Sequence, residues 1–481
     1  ENIENNIKWY PVPQPADKPI DATIILPAAR DYNSYSGVPL RVLFNNWVRD
    51  PFILNAPDEY YYMVGTPEST TLPAPLKSSP ESNGWWYNDG IPLWRSKNLK
   101  DWETMGYVWT FEKDATWSKE FKLSPNTQTP NNDPVRCIWA PEIHYLKGTY
   151  WIGYSMNYGG IGILKSTSGK PEGPYVDIKT DGPLPGHIDV ALFEDTDGTV
   201  YYLCDGYSIA RMKDDMSGLA EPLRKLKFNP TPPWGEGINM LKVGEKYVWY
   251  NSSNTFTTIN GKEARTYDCF SATSSGSIYG PYNNRHRAIT YAGHNNIFKD
   301  KKGNWWSTQF HPQPHMEKAI EPALIPIEVS PEGALSIKRS YPRPIWYITT
   351  TEPKGNWQSM YFKDTEWDKK EGAFGNPEVM NHGTFSDVGS EYSSDKLWMR
   401  KDFSIDTLPE QPALFLRHTG SVNIWINEKL IYSSENNLIE YTKEIINKEC
   451  LQTGNNIIAV VFENKAPYSY IDIGLIDCVK P

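Results

Sequence analysis

The chain has 481 residues, enough for two domains, because a single hydrophobic core rarely grows beyond about 250 to 300 residues. Its formal charge of −10 and the lack of any Lys/Arg run exclude a nucleic-acid partner, and no apolar stretch approaches the roughly 20 residues of a membrane-spanning helix. Aromatics make up 14% of the residues, Gly and Pro are frequent, and no long segment has the i, i+3, i+4 apolar period of an amphipathic helix, so an all-β chain is expected. Five scattered cysteines, Cys137, Cys204, Cys269, Cys450 and Cys478, lack CxxC or metal-ligand spacing and read as buried free thiols.

In chain order, a turn feeding an aromatic strand recurs five times. The copies are "DEYYYMVGT" from Asp58, "KGTYWIGYS" from Lys147, "DGTVYYLCD" from Asp197, "GEKYVWYNS" from Gly244 and "KGNWWSTQF" from Lys302. Each is a Gly- or Asp-containing hairpin turn followed by β-branched and aromatic residues. A second element, "LWRSKNLKDWE", "ILKSTSGKPEGPY" or "CFSATSSGSIYGPY", follows in three of the units. Repeats of this size that pair with their neighbours predict a five-bladed β-propeller, with the inner strands facing a central channel.

Stepping back eleven positions from each turn-strand aromatic reaches the start of the preceding, inner strand. Tyr61 leads to Asp50, Tyr150 to Trp139, Val200 to Asp189, Tyr247 to Glu236 and Trp305 to His294. Four blades thus place an ionisable group, and one a Trp, at equivalent spots that converge on one end of the channel. Asp50, at the mouth of the apolar strand "PFILN", is accommodated by this shared polar cavity, with Arg49 beside it as local compensation.

Three carboxylates beside an aromatic plate suit glycosidic hydrolysis. One carboxyl must stay protonated to give its proton to the leaving oxygen, a second must activate water or attack carbon, and a third separates their pKa values by like-charge repulsion. Trp139 would stack on a sugar ring.

The segments "RDPFI", "WAPEIHYLKGTYWIGYS", "HIDVALFEDTDGTVYYL", "EGINMLKVGEKYVWYNSS" and "AGHNNIFKDKKGNWWSTQFH", in that order, resemble glycoside hydrolase family 43 over about residues 40 to 330. The resemblance implies an inverting glycosidase in which Asp50 is the general base, Asp189 the carboxylate that tunes the acid, and Glu236 the general acid. It also implies that His294 lies near the centre of the channel, where a His is often associated with water or a calcium ion. A hydrogen-bonded structural His is the favoured reading; no cofactor is required, with calcium the alternative. "WAPEI" departs from the commoner wording, in which Asp stands for Glu142; that residue lies three positions beyond the repeat register, and a structural role is expected for it.

Further substrate contacts are expected from Arg49 and from Trp85 and Trp86 in the long Pro- and Ser-rich excursion after the first repeat. Trp234, beside the acid, and Gln309 to His311 are other candidates. From residue 343 the rhythm changes to short alternating runs, "LWMRKDFSI", "ALFLRHTGSVNIWINEKLIY" and "LQTGNNIIAVVFEN", which predict a β-sandwich resembling galactose-binding-like jelly rolls. Trp425 alternates there with apolar neighbours as a core residue would, and a supporting role is favoured for the domain. The expected division is 1–342 for the propeller with an N-terminal extension and 343–481 for the sandwich. The expected function is exo-acting release of terminal sugars, foremost α-L-arabinofuranosyl units, from an oligo- or polysaccharide of plant type. β-Xylosidase, galactosidase and galactofuranosidase activities, or a catalytically silent glycan-binding propeller, are the alternatives. A start at Glu1 rather than Met, together with a polymeric substrate, points to a secreted or periplasmic protein.

Overall fold

The computed structural model of the chain describes residues 8–13, 22–29, 41–68, 87–120, 122–123, 134–157, 159–259, 262–289, 292–310, 320–339, 342–375, 388–392, 394–438, 441–465 and 469–478. Strands dominate; a single 3-10 turn, Lys448–Cys450, is the only helical element among these residues. The chain divides into two compact units. One is built mainly of Leu40–Asn254 and Tyr267–Lys338, the other of Arg339–Pro481 with Asp17–Pro39 and Thr255–Thr266.

The first unit contains five antiparallel sheets, the blades of a propeller; strands follow chain order within each blade, apart from Tyr10–Pro11 at the outer edge of blade 1 and Arg41–Val42 on blade 5. Their first strands are Val48–Asn55, Ile138–Leu146, Ala191–Glu194, Glu236–Val243 and Ile297–Lys299. The second strands, Tyr61–Pro67, Thr149–Met156, Val200–Cys204, Lys246–Ile259 and Trp305–Gln309, are the five aromatic repeats. Arg41–Val42, just ahead of blade 1, pairs with Ala323 and Leu324 of blade 5, so the ring is closed by backbone hydrogen bonds between the two ends of the propeller sequence.

The aromatic content is explained by packing between blades. Tyr62 of blade 1 meets Tyr150 of blade 2 edge-on at 5.8 Å, and one buried cluster joins Phe52, Val64 and Leu93 to Ile143, Ile152 and Tyr154. Another joins Trp151 and Ile163 of blade 2 to Leu192 and Tyr202 of blade 3. Ala191 and Leu203 of blade 3 likewise pack with Trp249 and Tyr282 of blade 4. Large flat side chains fill the wedge between radially splayed sheets with few rotatable bonds to freeze. All five cysteines are free thiols, four of them buried.

The second unit is a sandwich of two sheets. One contains Phe374–Gly375, Pro412–His418 and Tyr470–Asp477, and the other Ile345–Thr349, Lys396–Ile405, Gly420–Ile426 and Gly454–Asn464. Alternate residues of both, such as Leu397, Met399, Ile424, Val460, Leu414 and Ile473, form one core. The N-terminal extension is divided: Tyr10–Pro11 pairs with Glu103 and Thr104 of blade 1, whereas Thr23–Leu26 pairs with Tyr470–Asp477 and Leu26 joins this core. Trp425 is not in the core between the sheets. It faces the other side of its sheet, where it packs edge-on against Trp357 at 5.4 Å in a small aromatic cluster with Trp398 and Trp367.

Candidate active site

At the head of every first strand the backbone makes the same unusual turn. Asp50, Ala140, Asp189, Gly237 and His294 have φ of 51°, 44°, 58°, 65° and 51°, all in the left-handed region. For a non-glycine residue this conformation costs about 1–2 kcal/mol, so four of the five blades hold strain at one end of the channel, where the fold must supply compensating bonds. The structural repeat therefore runs 50, 140, 189, 237, 294, and Trp139 and Glu236 stand one residue earlier, level with Arg49 and Ile188. The reason is hairpin length. Blades 2 and 4 join their first two strands through the tight pairs Lys147–Gly148 and Gly244–Glu245, whereas blades 1, 3 and 5 use residues 56–60, 195–199 and 300–304.

The compensating bonds come from hydroxyl groups on the second strands, each reaching the next blade. Thr66 Oγ1 accepts from Ala140 N (2.7 Å), Ser155 Oγ from Asp189 N (3.2 Å), and Ser252 Oγ from His294 N. Between blades 3 and 4 a carboxylate takes the hydroxyl's place: Asp189 Oδ2 accepts from Gly237 N at 3.0 Å. Thr66, Ser155 and Ser252 lie opposite Arg49, Trp139 and Glu236 in their sheets, so the same strand register that presents the site also ties it together.

These turns surround a hollow of about 370 Å³ lined by Arg49, Asp50, Trp139, Asp189, Glu236 and His294, with Thr66, Ala140, Ile188 and Tyr267 completing the wall. Asp50 Oδ2 accepts from Thr66 Oγ1 at 2.8 Å, and its Oδ1 is 3.6 Å from His294 Nδ1, which lies 3.9 Å from Asp189 Oδ2. Tyr267 donates its hydroxyl proton to Glu236 Oε1 at 2.7 Å. Burial first, and the charge of Asp189 second, push Glu236 up to about 7. Asp189, only 4% exposed, is itself pushed up to about 8 by burial and by Asp50. The two carboxyls act as a coupled pair that retains a proton to near-neutral pH. Only Glu236 of the two also borders a second, open hollow, so it is the member placed to pass that proton to an incoming oxygen.

The structure brings Asp50, Trp139, Asp189, Glu236, His294 and Arg49 into one pocket; Arg49 also lies over the Phe310 ring at 4.9 Å. Gln309, expected as a substrate contact, is fully buried at the end of its strand, where it pairs with Ala323, and does not line the pocket. Trp85, Trp86 and His311 lie outside the described residues. Tyr267, Thr66, Ser155 and Ser252 were not foreseen. The three hydroxyls end the quoted repeats "MVGT", "IGYS" and "WYNS", a visible signal, whereas Tyr267 sits on a third strand and has none.

Glu142 has a place in this channel as well. It is buried, its Oε1 accepts from Asn239 Nδ2 at 2.8 Å, and its Oε2 is 3.4 Å from His144 Nε2. Burial holds Glu142 well above the usual carboxylate range and His144 down to about 3, so both are neutral and the contact is a structural one. For calcium, no cluster of three or more His, Cys, Asp or Glu converges among the described residues, and a single imidazole is a poor anchor for an ion that takes six to eight oxygens. The described residues therefore offer no ready-made calcium cage.

Residues 40–335 match the family described as Glycosyl hydrolases family 43. Among curated proteins, a β-D-galactofuranosidase (xynD) of Aspergillus niger is 29% identical over 212 residues, 38% of this chain and 58% of that protein. A putative β-xylosidase of Escherichia coli is 21% identical over 304 residues, 55% of this chain and 48% of that protein. The chain thus spans about half the length of the curated relatives it matches. Among solved structures, RS223 β-xylosidase is 16% identical with a TM-score of 0.46, over 62% of this chain and 98% of that one. An endo-arabinase from Bacteroides thetaiotaomicron is 20% identical with a TM-score of 0.44, over 64% and 98%. With the match to the family covering more than half of its length and all five propeller blades, the chain belongs to glycosyl hydrolases family 43.

Proposed function

We propose that the protein is an exo-acting, inverting glycosidase that removes terminal sugars, foremost α-L-arabinofuranosyl units, from a plant-type polysaccharide. The observation that carries the catalytic reading is the different setting of two carboxyls in one pocket. Glu236 is raised to about 7 next to Asp189, while Asp50 lies under the Thr66 hydroxyl with His294 beside it. Asp50 takes a proton from a water molecule as that water attacks the anomeric carbon from one face. Glu236 gives its proton to the glycosidic oxygen on the other face, and the bond from that oxygen to carbon breaks. Tyr267 then stabilises the Glu236 carboxylate with its hydrogen bond, and Asp189 raises the acid so that it reloads near neutral pH. Trp139 offers the sugar ring an apolar face.

A second reading, β-D-galactofuranosidase, is favoured by the 29% identical relative of that name. Both sugars present a five-membered ring, and the exocyclic carbon of galactofuranose is the feature that separates them.

The test is release of free monosaccharide from arabinan, arabinoxylan and a galactofuranose-containing glycan, with wild type beside Glu236→Gln and Asp50→Asn. Release reduced by about 10²–10⁴-fold in both variants, with the first-formed anomer inverted by proton NMR, is the expected result. Release that neither substitution changes, or none from any polymer, would reject the assignment.

A further inference from the structure

Beyond the catalytic pocket, blades 3 and 4 enclose a second hollow that the mechanism above does not use. Ile188 and Glu236 form part of its wall as well as that of the catalytic pocket, so the two spaces meet at the acid. Trp234 lines it and is 60% exposed. A single exposed apolar ring is ordinary on a protein surface, and what singles this one out is its place beside the acid, where a Trp presents the flat surface on which sugar C–H groups stack.

The segment carrying this ring, "PPWGE", is held rather than loose. Tyr207 donates its hydroxyl to Pro233 O at 2.5 Å, and Ser253 donates to Trp234 O at 2.8 Å. Gly235 leaves no space for a side chain, since a Cβ there would lie 2.3 Å from Asn251 Nδ2 and 2.9 Å from Ser252 O. The backbone that carries the ring is therefore held next to the acid, which limits the ordering required on binding. The other wall is polar. Asp205 accepts from the backbone N–H of His187 and Ile188, both at 2.9 Å, and the His187 ring and Lys225 complete that side. An apolar ring that shares a hollow with hydrogen-bonding groups is the composition a pyranose or furanose ring requires.

Geometry decides which sugar it would hold. The acid protonates the glycosidic oxygen, which departs with the leaving group, so the space beyond Glu236 from the catalytic pocket is where that group must lie. We propose that this hollow is a leaving-group subsite, with Trp234 as stacking platform and Lys225, His187 and Asp205 as hydroxyl-binding groups, and that it makes the enzyme selective for glycosidic bonds whose leaving group is itself a sugar chain. The proposal rests on the glycosidase reading above. Binding energy from this remote ring would be expressed in kcat/KM only for substrates that possess it.

The experiment compares two substrates of the sugar that wild type releases: a trisaccharide, and the glycosyl fluoride, whose leaving group is a single atom. Trp234→Ala is expected to lower kcat/KM for the trisaccharide about tenfold or more and to leave the fluoride within about twofold. Trp234→Phe, which keeps a flat ring, is expected to restore most of the trisaccharide rate, and Lys225→Met to lower it without affecting the fluoride. Because Trp234 is mostly exposed, its truncation opens no core, and an unchanged thermal midpoint verifies this. Equal losses on both substrates, or no loss on the trisaccharide, would overturn the subsite while leaving the glycosidase standing. Failure of wild type to release sugar from any polymer in the assay above would remove both readings together.

Discussion

Asp189→Asn isolates the tuning carboxylate. Asparagine retains an oxygen to accept from Gly237 N and a backbone N–H for Ser155, so the strained turn should survive while the ionisable partner of Glu236 is removed. Glu236 stands at about 7 against its ordinary 4.5, a rise of about 2.5, and burial contributes more of it than Asp189 does. Without its ionisable neighbour Glu236 should fall below about 7 and stay above its ordinary value, because burial still holds it up. A general acid at about 7 is half protonated at pH 7, and lowering it by one unit would leave roughly a tenth protonated, so each unit of lowering costs about fivefold at pH 7. The assay is kcat/KM from pH 4 to 9 on whichever glycoside wild type cleaves. The expected signature is an alkaline limb displaced towards acid, with the ratio of wild type to variant shrinking as pH falls below 6. An alkaline limb that stays in place, or moves upward, would refute the assignment of Asp189 as the group that raises Glu236.

Tyr267→Phe removes a donor to the Glu236 carboxylate and so should move the same limb in the opposite direction, upward, with slower turnover; titration of kcat/KM on the alkaline side reads it. Ser155→Ala leaves the N–H of left-handed Asp189 without its acceptor and is expected to cost about 1–3 kcal/mol, seen in denaturant unfolding, together with lower activity as Asp189 loses its position. Glu142 is raised in the folded protein, so its contribution is fully present below pH about 4.5 and declines as pH rises above it. Glu142→Gln should therefore match wild type in stability near pH 4 and exceed it at pH 8, whereas Glu142→Ala should be less stable at pH 4, where a buried acceptor for Asn239 and its packing are lost. Thermal midpoints across pH separate these outcomes.

What could be read from the residues alone was whatever repeats or is local. Five turn-and-aromatic-strand copies are enough to count blades, because each blade must present the same hairpin to its neighbours, and a fixed backward step then locates the inner strand heads. Asp50, Asp189 and His294 occupy the equivalent backbone position, and Glu236 and Trp139 fall one residue short because hairpin length is set by turn geometry that the step of eleven ignores. The alternating runs after residue 343 likewise sufficed for a sandwich. Tertiary structure alone decided whatever joins distant segments. Thr23–Leu26 entered the sandwich by pairing with a strand more than 440 residues later, a choice made by edge hydrogen bonds that leave no local trace. Tyr267 reached Glu236 across a sheet, Gln309 was taken into the interior, and Trp425 turned to the outer face of its sheet because strand alternation places it opposite Ile424 and Ile426. The pKa values of the carboxyls belong to the same class. An Asp or Glu acquires a shifted value only when folding removes water from it and sets another charge beside it, and neither condition is written in the residues around it.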